Sequence, residues 1–175
     1  MMGLHGVGKT TIMYKIQAPH LGVPVIGFSV EQFVFKSAVS RRELCVTLWD
    51  TPGQGFFSNR IRPLWPHYLE RASGMIYVVD ATDRERIGDA REEVQLMLLL
   101  SNNEKHVRDP APPLLVLANK VDLPTAMSVA ELTDKLGLHA VLDRRWFVQA
   151  TSAISGEGIG LHEGFEWLSA EAVQS

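Results

Sequence analysis

The sequence predicts an α/β protein in which a mostly parallel, doubly wound sheet is covered by helices on both faces. Three observations carry this. Short apolar runs alternate with helical patterns, the runs end in polar turn residues, and most of them are apolar throughout instead of alternating. Met75–Val79 (MIYVV), Leu114–Ala118 (LLVLA) and Trp146–Ala150 (WFVQA) read as parallel strands buried on both faces. Between the first two lies a helical pattern from Glu85 to about Leu100, preceded by Thr82-Asp-Arg-Glu85, which has capping-box spacing. A second box, Ser128-Val-Ala-Glu131, opens a helix that Gly137 closes, and a last helix runs from about Leu161 to Ala172. Upstream, Phe28 to Lys36 and Glu43 to Trp49 read as an antiparallel hairpin, which makes the sheet mixed. Asn102 to Pro113, polar and then proline-rich, reads as a loop.

The 175 residues, 46% of them hydrophobic, fall within the size of one domain, so residues 1–175 are expected to form one unit. A formal net charge of -3 gives no general attraction to nucleic acid or an anionic membrane, so any nucleotide must be held locally. The single cysteine, Cys45, excludes an intrachain disulfide framework and fits a reducing compartment, and the expected location is cytoplasmic. No apolar run approaches the roughly 18 residues of a membrane span, and no secretory signal pattern opens the chain.

The chemistry is concentrated at the ends of the predicted strands. Gly3-Leu-His5-Gly6-Val7-Gly8-Lys9-Thr10 fits the phosphate-loop pattern at every specified position, and Thr11-Ile-Met-Tyr-Lys-Ile16 continues as helix. In such a loop the glycines let successive N–H groups turn inward, His5 included, and the helix amino terminus adds partial positive charge. Lys9 reaches the terminal phosphates and Thr10 offers its hydroxyl to Mg²⁺. By itself this pattern admits an ATPase, a nucleotide kinase or a GTPase. The base is read elsewhere. Asn119-Lys120-Val121-Asp122 follows a strand at the carboxyl edge of the sheet, where open α/β sheets bind ligands. A carboxylate there accepts from both N1–H and the 2-amino group of guanine, and adenine offers neither, so Asp122 discriminates by charge-assisted pairing. Asn119 would brace the loops, the Lys120 stem would cover the base, and Thr151-Ser152-Ala153 would bring a backbone N–H to the guanine O6. A third element, Asp50-Thr-Pro-Gly53-Gln54, again follows a strand: Asp50 would hold a Mg²⁺-bound water, Gly53 the terminal phosphate, and Gln54 the attacking water.

With these motifs the chain resembles the small GTPases of the ADP-ribosylation factor (Arf) and Arf-like family. The stretches GKTTIMYKI, IGFSVE, IRPLWPHY, VVDATDRERIGDAREE, LANKVDLPTAM, ELTDKLGLH and QATSAISGEG carry the resemblance over nearly the whole length. It implies a Ras-like P-loop GTPase fold, a mixed, mostly parallel six-stranded sheet flanked by helices, here with the first strand truncated to Met1 and Met2. It implies GTP and GDP as ligands, Mg²⁺ held by Thr10 and through water by Asp50, and the nucleotide held by residues 3–11, Gly53, Asn119, Lys120, Asp122, Ser152 and Ala153. Hydrolysis would be slow and positioned by Gln54. Phe28, Trp49 and Tyr68 match the family's aromatic effector patch. The implied partners are an exchange factor, a GTPase-activating protein and effectors of vesicle traffic, with the chain a monomer at Golgi or other endomembranes.

Four departures from the pattern bear on these expectations. Val25 stands where the first switch usually has a Mg²⁺-ligating Thr, which weakens the ordering of that switch and favours an alternative, a nucleotide-retaining scaffold that hardly cycles. Pro52 replaces a glycine, and the segment after Gln54 is lengthened, as are two surface loops. Myristoylation needs Gly directly after the initiator Met and here Met2 intervenes, so membrane contact is expected only if an amino-terminal helix or acyl group precedes these residues.

Overall fold

The three apolar runs become three adjacent parallel strands, and their register positions everything that follows. The computed structural model describes residues 1–17, 29–39, 41, 43–50, 65–69, 72–102, 111–156 and 158–172, and of residues 17, 29–33, 48–50 and 67–68 the backbone alone. In chain order the elements are α1 (Lys9–Gln17), β1 (Ser29–Lys36), β2 (Glu43–Asp50), α2 (Trp65–Leu69) and β3 (Met75–Asp80). Then come α3 (Ile87–Ser101), β4 (Leu114–Asn119), α4 (Val129–Leu136), a 3-10 turn (Leu138–Ala140), β5 (Trp146–Ala150) and α5 (Leu161–Glu171).

Strands β3, β4 and β5 form one parallel ladder, with Asp80 opposite Asn119 and Ala118 opposite Ala150, so three carboxyl ends finish side by side. Strands β1 and β2 form a separate antiparallel ladder from Ser29 opposite Asp50 to Lys36 opposite Glu43. A single mixed sheet was expected, but the described strands divide into two ladders, with Met1 and Met2 between them. The reason is local. Met2 makes one parallel bridge to Tyr77, donating to the Ile76 carbonyl at 2.8 Å and accepting from Val78 N–H at 2.8 Å. On its other side the Met1 amino group donates to the Thr47 carbonyl at 2.7 Å. Two residues cannot make the several successive pairs that a strand needs to join two ladders.

Alternation along β3 and β4 divides the core between two helical layers. Tyr77, Val79, Leu114 and Val116 pack with Val94 and Met97 of α3 and with Leu132 and Leu136 of α4. Ile76, Val78, Leu115 and Leu117 pack on the opposite face with Ile12 and Met13 of α1 and Phe165 of α5. Each such fully buried side chain contributes about 1.5–3 kcal/mol relative to exposure. The hairpin joins the second layer through Phe35, whose ring lies 5.3 Å from that of Phe165. Its turn is fastened to α5 as well: Ser37 Oγ and Ala38 N–H donate to the two carboxylate oxygens of Glu166 at 2.5 and 2.7 Å.

One predicted cap is corrected. The Thr82–Glu85 box does not open α3, which starts at Ile87 after Arg86, a residue without a side-chain cap. Thr82 is engaged instead with Asp80, donating to its Oδ1 from both N–H (2.9 Å) and Oγ1 (2.7 Å), and Asp83 Oδ1 accepts the Arg86 N–H at 3.0 Å. An Asx turn thus takes the residues that the helix would have used. The second box forms as read: Ser128 Oγ accepts from Glu131 N–H at 3.1 Å, and Gly137 ends α4 at φ 71°. Replacing Ser128 by Ala should lower unfolding free energy by about 1 kcal/mol, measured by urea denaturation, with Thr at the same position close to unchanged.

Candidate functional site

The phosphate-loop residues run from Met2 across the carboxyl end of β3 into α1. Gly3, Gly6 and Gly8 have φ of 146°, 78° and 97°, the region that side chains rarely adopt. Two of these positions are also closed by packing: a Cβ on Gly3 would collide with the Val78 carbonyl and one on Gly8 with the Asn119 amide. The loop's glycines are therefore demanded by the close approach of β3 and β4 as well as by its turns. Helix α1 begins its own bond ladder with Ile12 donating to the Gly8 carbonyl at 2.9 Å. The amides ahead of that bond form the helix amino terminus, the end that attracts anions. Lys9 is buried, and its Nζ donates to the Gly3 and Leu4 carbonyls at 2.9 Å each, inside the curve of the loop.

Asn119, the last residue of β4 and 2% exposed, joins the loop to the neighbouring strand ends. Its Nδ2 donates to the Val7 carbonyl at 2.8 Å, while Oδ1 accepts from Ala153 N–H at 3.1 Å and from Thr151 Oγ1 at 3.4 Å. All its bonds lie within the protein, which is how a buried amide remains satisfied. Lys120 follows with φ 66°, a conformation that costs a non-glycine residue about 1 kcal/mol or more. Its Nζ offsets that cost by donating to the Gly6 carbonyl at 2.8 Å and pairing with Asp80 at 2.6 Å. Asp122 is held by Ser152 Oγ at 2.5 Å, and Ser155 Oγ lies 2.8 Å from the same hydroxyl. Together Gly8, Thr11, Asn119, Lys120, Asp122 and Ala153 line a cavity of about 120 Å³. Thus Gly6, Val7, Gly8 and Thr11 are brought against Asn119, Lys120, Asp122 and Ala153, with Ser152 behind Asp122. Gly3 lies against Val78, Lys9 turns back onto the loop, His5 is held by Arg86 and Thr10 stands in the first turn of α1.

The other predicted residues are only partly placed. Asp50 ends β2 and Trp49 precedes it, and Tyr68 lies in α2, each with its backbone alone described. Phe28, Gly53 and Gln54, with Val25 and Pro52, lie outside the described residues. Among the described residues there is no group of three His, Cys, Asp or Glu side chains suited to a metal, and no helix long and apolar enough to cross a membrane.

Two site residues were not foreseen. Asp80 sits at the end of β3 beside Asn119 and holds the Lys120 ammonium. Arg86 donates from its Nη1 to the His5 carbonyl at 3.2 Å, holding the loop from outside, and is itself held by Asp83. The signal for Asp80 was present: a carboxylate at the carboxyl end of an otherwise apolar strand.

Compared with protein families, residues 1–172 match the model of the ADP-ribosylation factor family. The chain belongs to that family. Among solved structures it is similar to the Arl6 (BBS3) small GTPase of Trypanosoma brucei, determined with the nucleotide analogue GppNp bound. The two are 32% identical, the match covers 99% of this chain and 95% of that one, and the TM-score is 0.75. The fold is therefore that of a Ras-like small GTPase, an α/β protein whose parallel strands are flanked by helices.

In this Arf-family chain Asp80 carries an electrostatic prediction. Burial opposes its ionisation, but Lys120 and the two Thr82 donors outweigh burial and hold its carboxyl below the ordinary aspartate range. A carboxyl whose folded pKa is depressed stabilises the protein above the unfolded value near 3.9, and that stability is lost as pH falls through the folded pKa. Asp80→Asn should therefore cost about 1–2 kcal/mol at pH 7. The difference from the parent should shrink below about pH 4, as read by urea titrations at each pH.

Proposed function

We propose that this chain is a guanine-nucleotide switch, one small GTPase domain over residues 1–175, that binds GTP and GDP and hydrolyses GTP slowly with Mg²⁺. The observation that carries the reading is the Asn119 side chain, which ties Val7 of the phosphate loop to Ala153 of the base loop. A phosphate cradle and a base pocket linked by one buried amide suit a ligand with a base at one end and phosphates at the other. The nucleotide analogue bound in the similar Arl6 structure supports the same ligand class.

In this reading the Gly6–Thr11 amides and Lys9 hold the phosphates, with Lys9 already drawn into the loop by the Gly3 and Leu4 carbonyls. The Lys120 stem covers one face of the base. The Asp122 carboxylate, oriented by Ser152, accepts from the base edge. The Thr10 hydroxyl and the Asp50 carboxylate are hard oxygen donors of the kind Mg²⁺ prefers, and the metal would neutralise charge developing on the phosphates. Gly53 would donate its N–H to the terminal phosphate. Gln54 would orient the attacking water, and an exchange factor and an activating protein would set the rates of loading and hydrolysis. Phe28, Trp49 and Tyr68 would form the effector surface, supplying aromatic anchors to partners in vesicle traffic at cytoplasmic membrane surfaces.

Displacement of a fluorescent guanine nucleotide tests the base assignment: unlabelled GTP and GDP should compete and ATP in large excess should not. Asp122→Asn should move preference from guanine toward xanthine nucleotides, and an unchanged guanine preference would refute the pocket. Hydrolysis is a separate measurement. Single-turnover phosphate release should require Mg²⁺ and fall about 10- to 100-fold in Gln54→Leu. Val25 favours the second reading, a scaffold that retains nucleotide without cycling. Tight guanine binding with no phosphate release, even with an activating protein, would select it.

A further inference from the structure

Three successive carbonyls of the phosphate loop are held by side chains from elsewhere in the fold. Val7 accepts from Asn119 Nδ2 at 2.8 Å, Gly6 from Lys120 Nζ at 2.8 Å, and His5 from Arg86 Nη1 at 3.2 Å. A trans peptide is planar, so its N–H points opposite to its C=O. Fixing these carbonyls therefore aims the Gly6, Val7 and Gly8 N–H groups the other way, as a nest of donors suited to an anion. The Gly3 and Leu4 carbonyls turn instead onto Lys9, so the reversal in the loop falls at His5. Arg86 grips the loop at that reversal.

Asn119 and Lys120 line the base cavity and belong to its motif; Arg86 belongs to neither. It stands just before α3, in a turn that fixes most of its guanidinium. Asp83 Oδ1 accepts the Arg86 N–H at 3.0 Å, while Asp83 Oδ2 takes Nε at 2.6 Å and Nη2 at 2.5 Å. With those donors engaged, Nη1 remains for His5. A planar fork can serve a carboxylate and a carbonyl at once, which a lysine ammonium on its flexible stem does with no fixed geometry.

Place along the loop decides which phosphate this grip concerns. Gly8 and Thr11 line the base cavity, and of the amides from Gly6 to Thr11 that of Gly6 stands at the end away from it. A ligand whose base fills the cavity meets the Gly6 amide with its outermost phosphate. A diphosphate ends one phosphate short.

We propose that Arg86, held by Asp83, is a positioning residue for the terminal phosphate of a nucleoside triphosphate: by holding the His5 carbonyl it aims the Gly6 N–H, and so favours triphosphate over diphosphate. This role rests on the guanine-nucleotide reading and adds to it a determinant of triphosphate preference outside both the phosphate-loop and base motifs.

The test measures Kd for the triphosphate analogue GppNp and for GDP, with Mg²⁺ in excess, in the parent and in Arg86→Met. The substitution should weaken GppNp about threefold to tenfold, the range for one charge-assisted bond at a half-exposed site, and GDP by less than about twofold. A general loosening of the fold weakens both ligands alike, so the GppNp-to-GDP ratio separates positioning from stability. A parent ratio retained in Arg86→Met overturns the proposal, whether both affinities persist or fall together. If Arg86→Met does not fold, Arg86→Gln, uncharged and shorter, is judged by the same ratio. In the parent, exchange of the Gly6 amide should slow about tenfold more with GppNp than with GDP, and equal slowing also overturns the proposal. A parent that binds neither nucleotide overturns the nucleotide reading itself and this role with it, an outcome distinct from a parent that binds both and a variant that keeps its ratio.

Discussion

Everything at the candidate site depends on one buried amide. Asn119 has no exposed surface to speak of, so each of its polar atoms must find a partner inside the protein, and the partners it finds belong to two different loops. The donor end fixes Val7 and the acceptor end fixes Ala153. An aspartate at the same position could accept from Ala153 but would set a negative charge against the Val7 carbonyl. A leucine would leave both loop groups without a partner, a loss of about 1–3 kcal/mol for each buried group. The amide is thus determined by a need for opposite polarities across one side chain.

That constraint explains the packing around it. For Asn119 to reach Val7, the loop must lie directly on the ends of β3 and β4, which leaves no room for a Cβ at Gly3 or Gly8. Closeness in turn puts the Gly6 carbonyl within reach of Lys120, whose ammonium meets Asp80 one strand away. The resulting cluster alternates in charge, with Asp80 buried and the Lys120 ammonium half-buried above it. It strengthens each contact and makes the loss of any single partner expensive.

The sequence makes some of this legible and hides the rest, for physical reasons. Strands buried on both faces announce themselves by continuous apolar runs, which is why β3 and β4 were found nearly to the residue. Trp146–Ala150 is the strand read, β5, but it is not buried on both faces, since it pairs with β4 alone among the described strands and leaves Phe147 exposed. The glycines, Lys9 and the Asn119–Asp122 segment were legible because their chemistry requires fixed spacing. The start of α3 was misread because Thr82 and Asp83 can serve either a helix cap or a turn, and only the neighbouring Asp80 carboxylate decides between them. Asp80 and Arg86 were missed for a related reason: their partners, Lys120 and the His5 carbonyl, are far away in sequence. The separation of the two ladders follows from the Met1–Met2 stub, which the resemblance marks as a truncated strand and which makes one bridge to β3 and one bond to β2.

Division into two ladders raises the question of what makes the hairpin and the phosphate loop one mechanical body. Helix α1 supplies the answer. Its amino end carries Lys9 and Thr10, while Ile12 and Met13, both fully buried one turn further on, share a core with Phe35 and Val46 of the hairpin and with Ile76 and Val78 of β3. Interiors packed at this density transmit small displacements instead of absorbing them. A shift of the hairpin against β3 must therefore either move the first turn of α1 or open a void beside Ile12, and a void the size of one side chain costs about 2–5 kcal/mol. The Glu166 grip on Ser37 and Ala38 adds a second point of attachment at the far end of the same hairpin. A rearrangement of β1 and β2 that keeps this core closed is consequently registered at the amino terminus of α1, where the loop's amides and Lys9 converge.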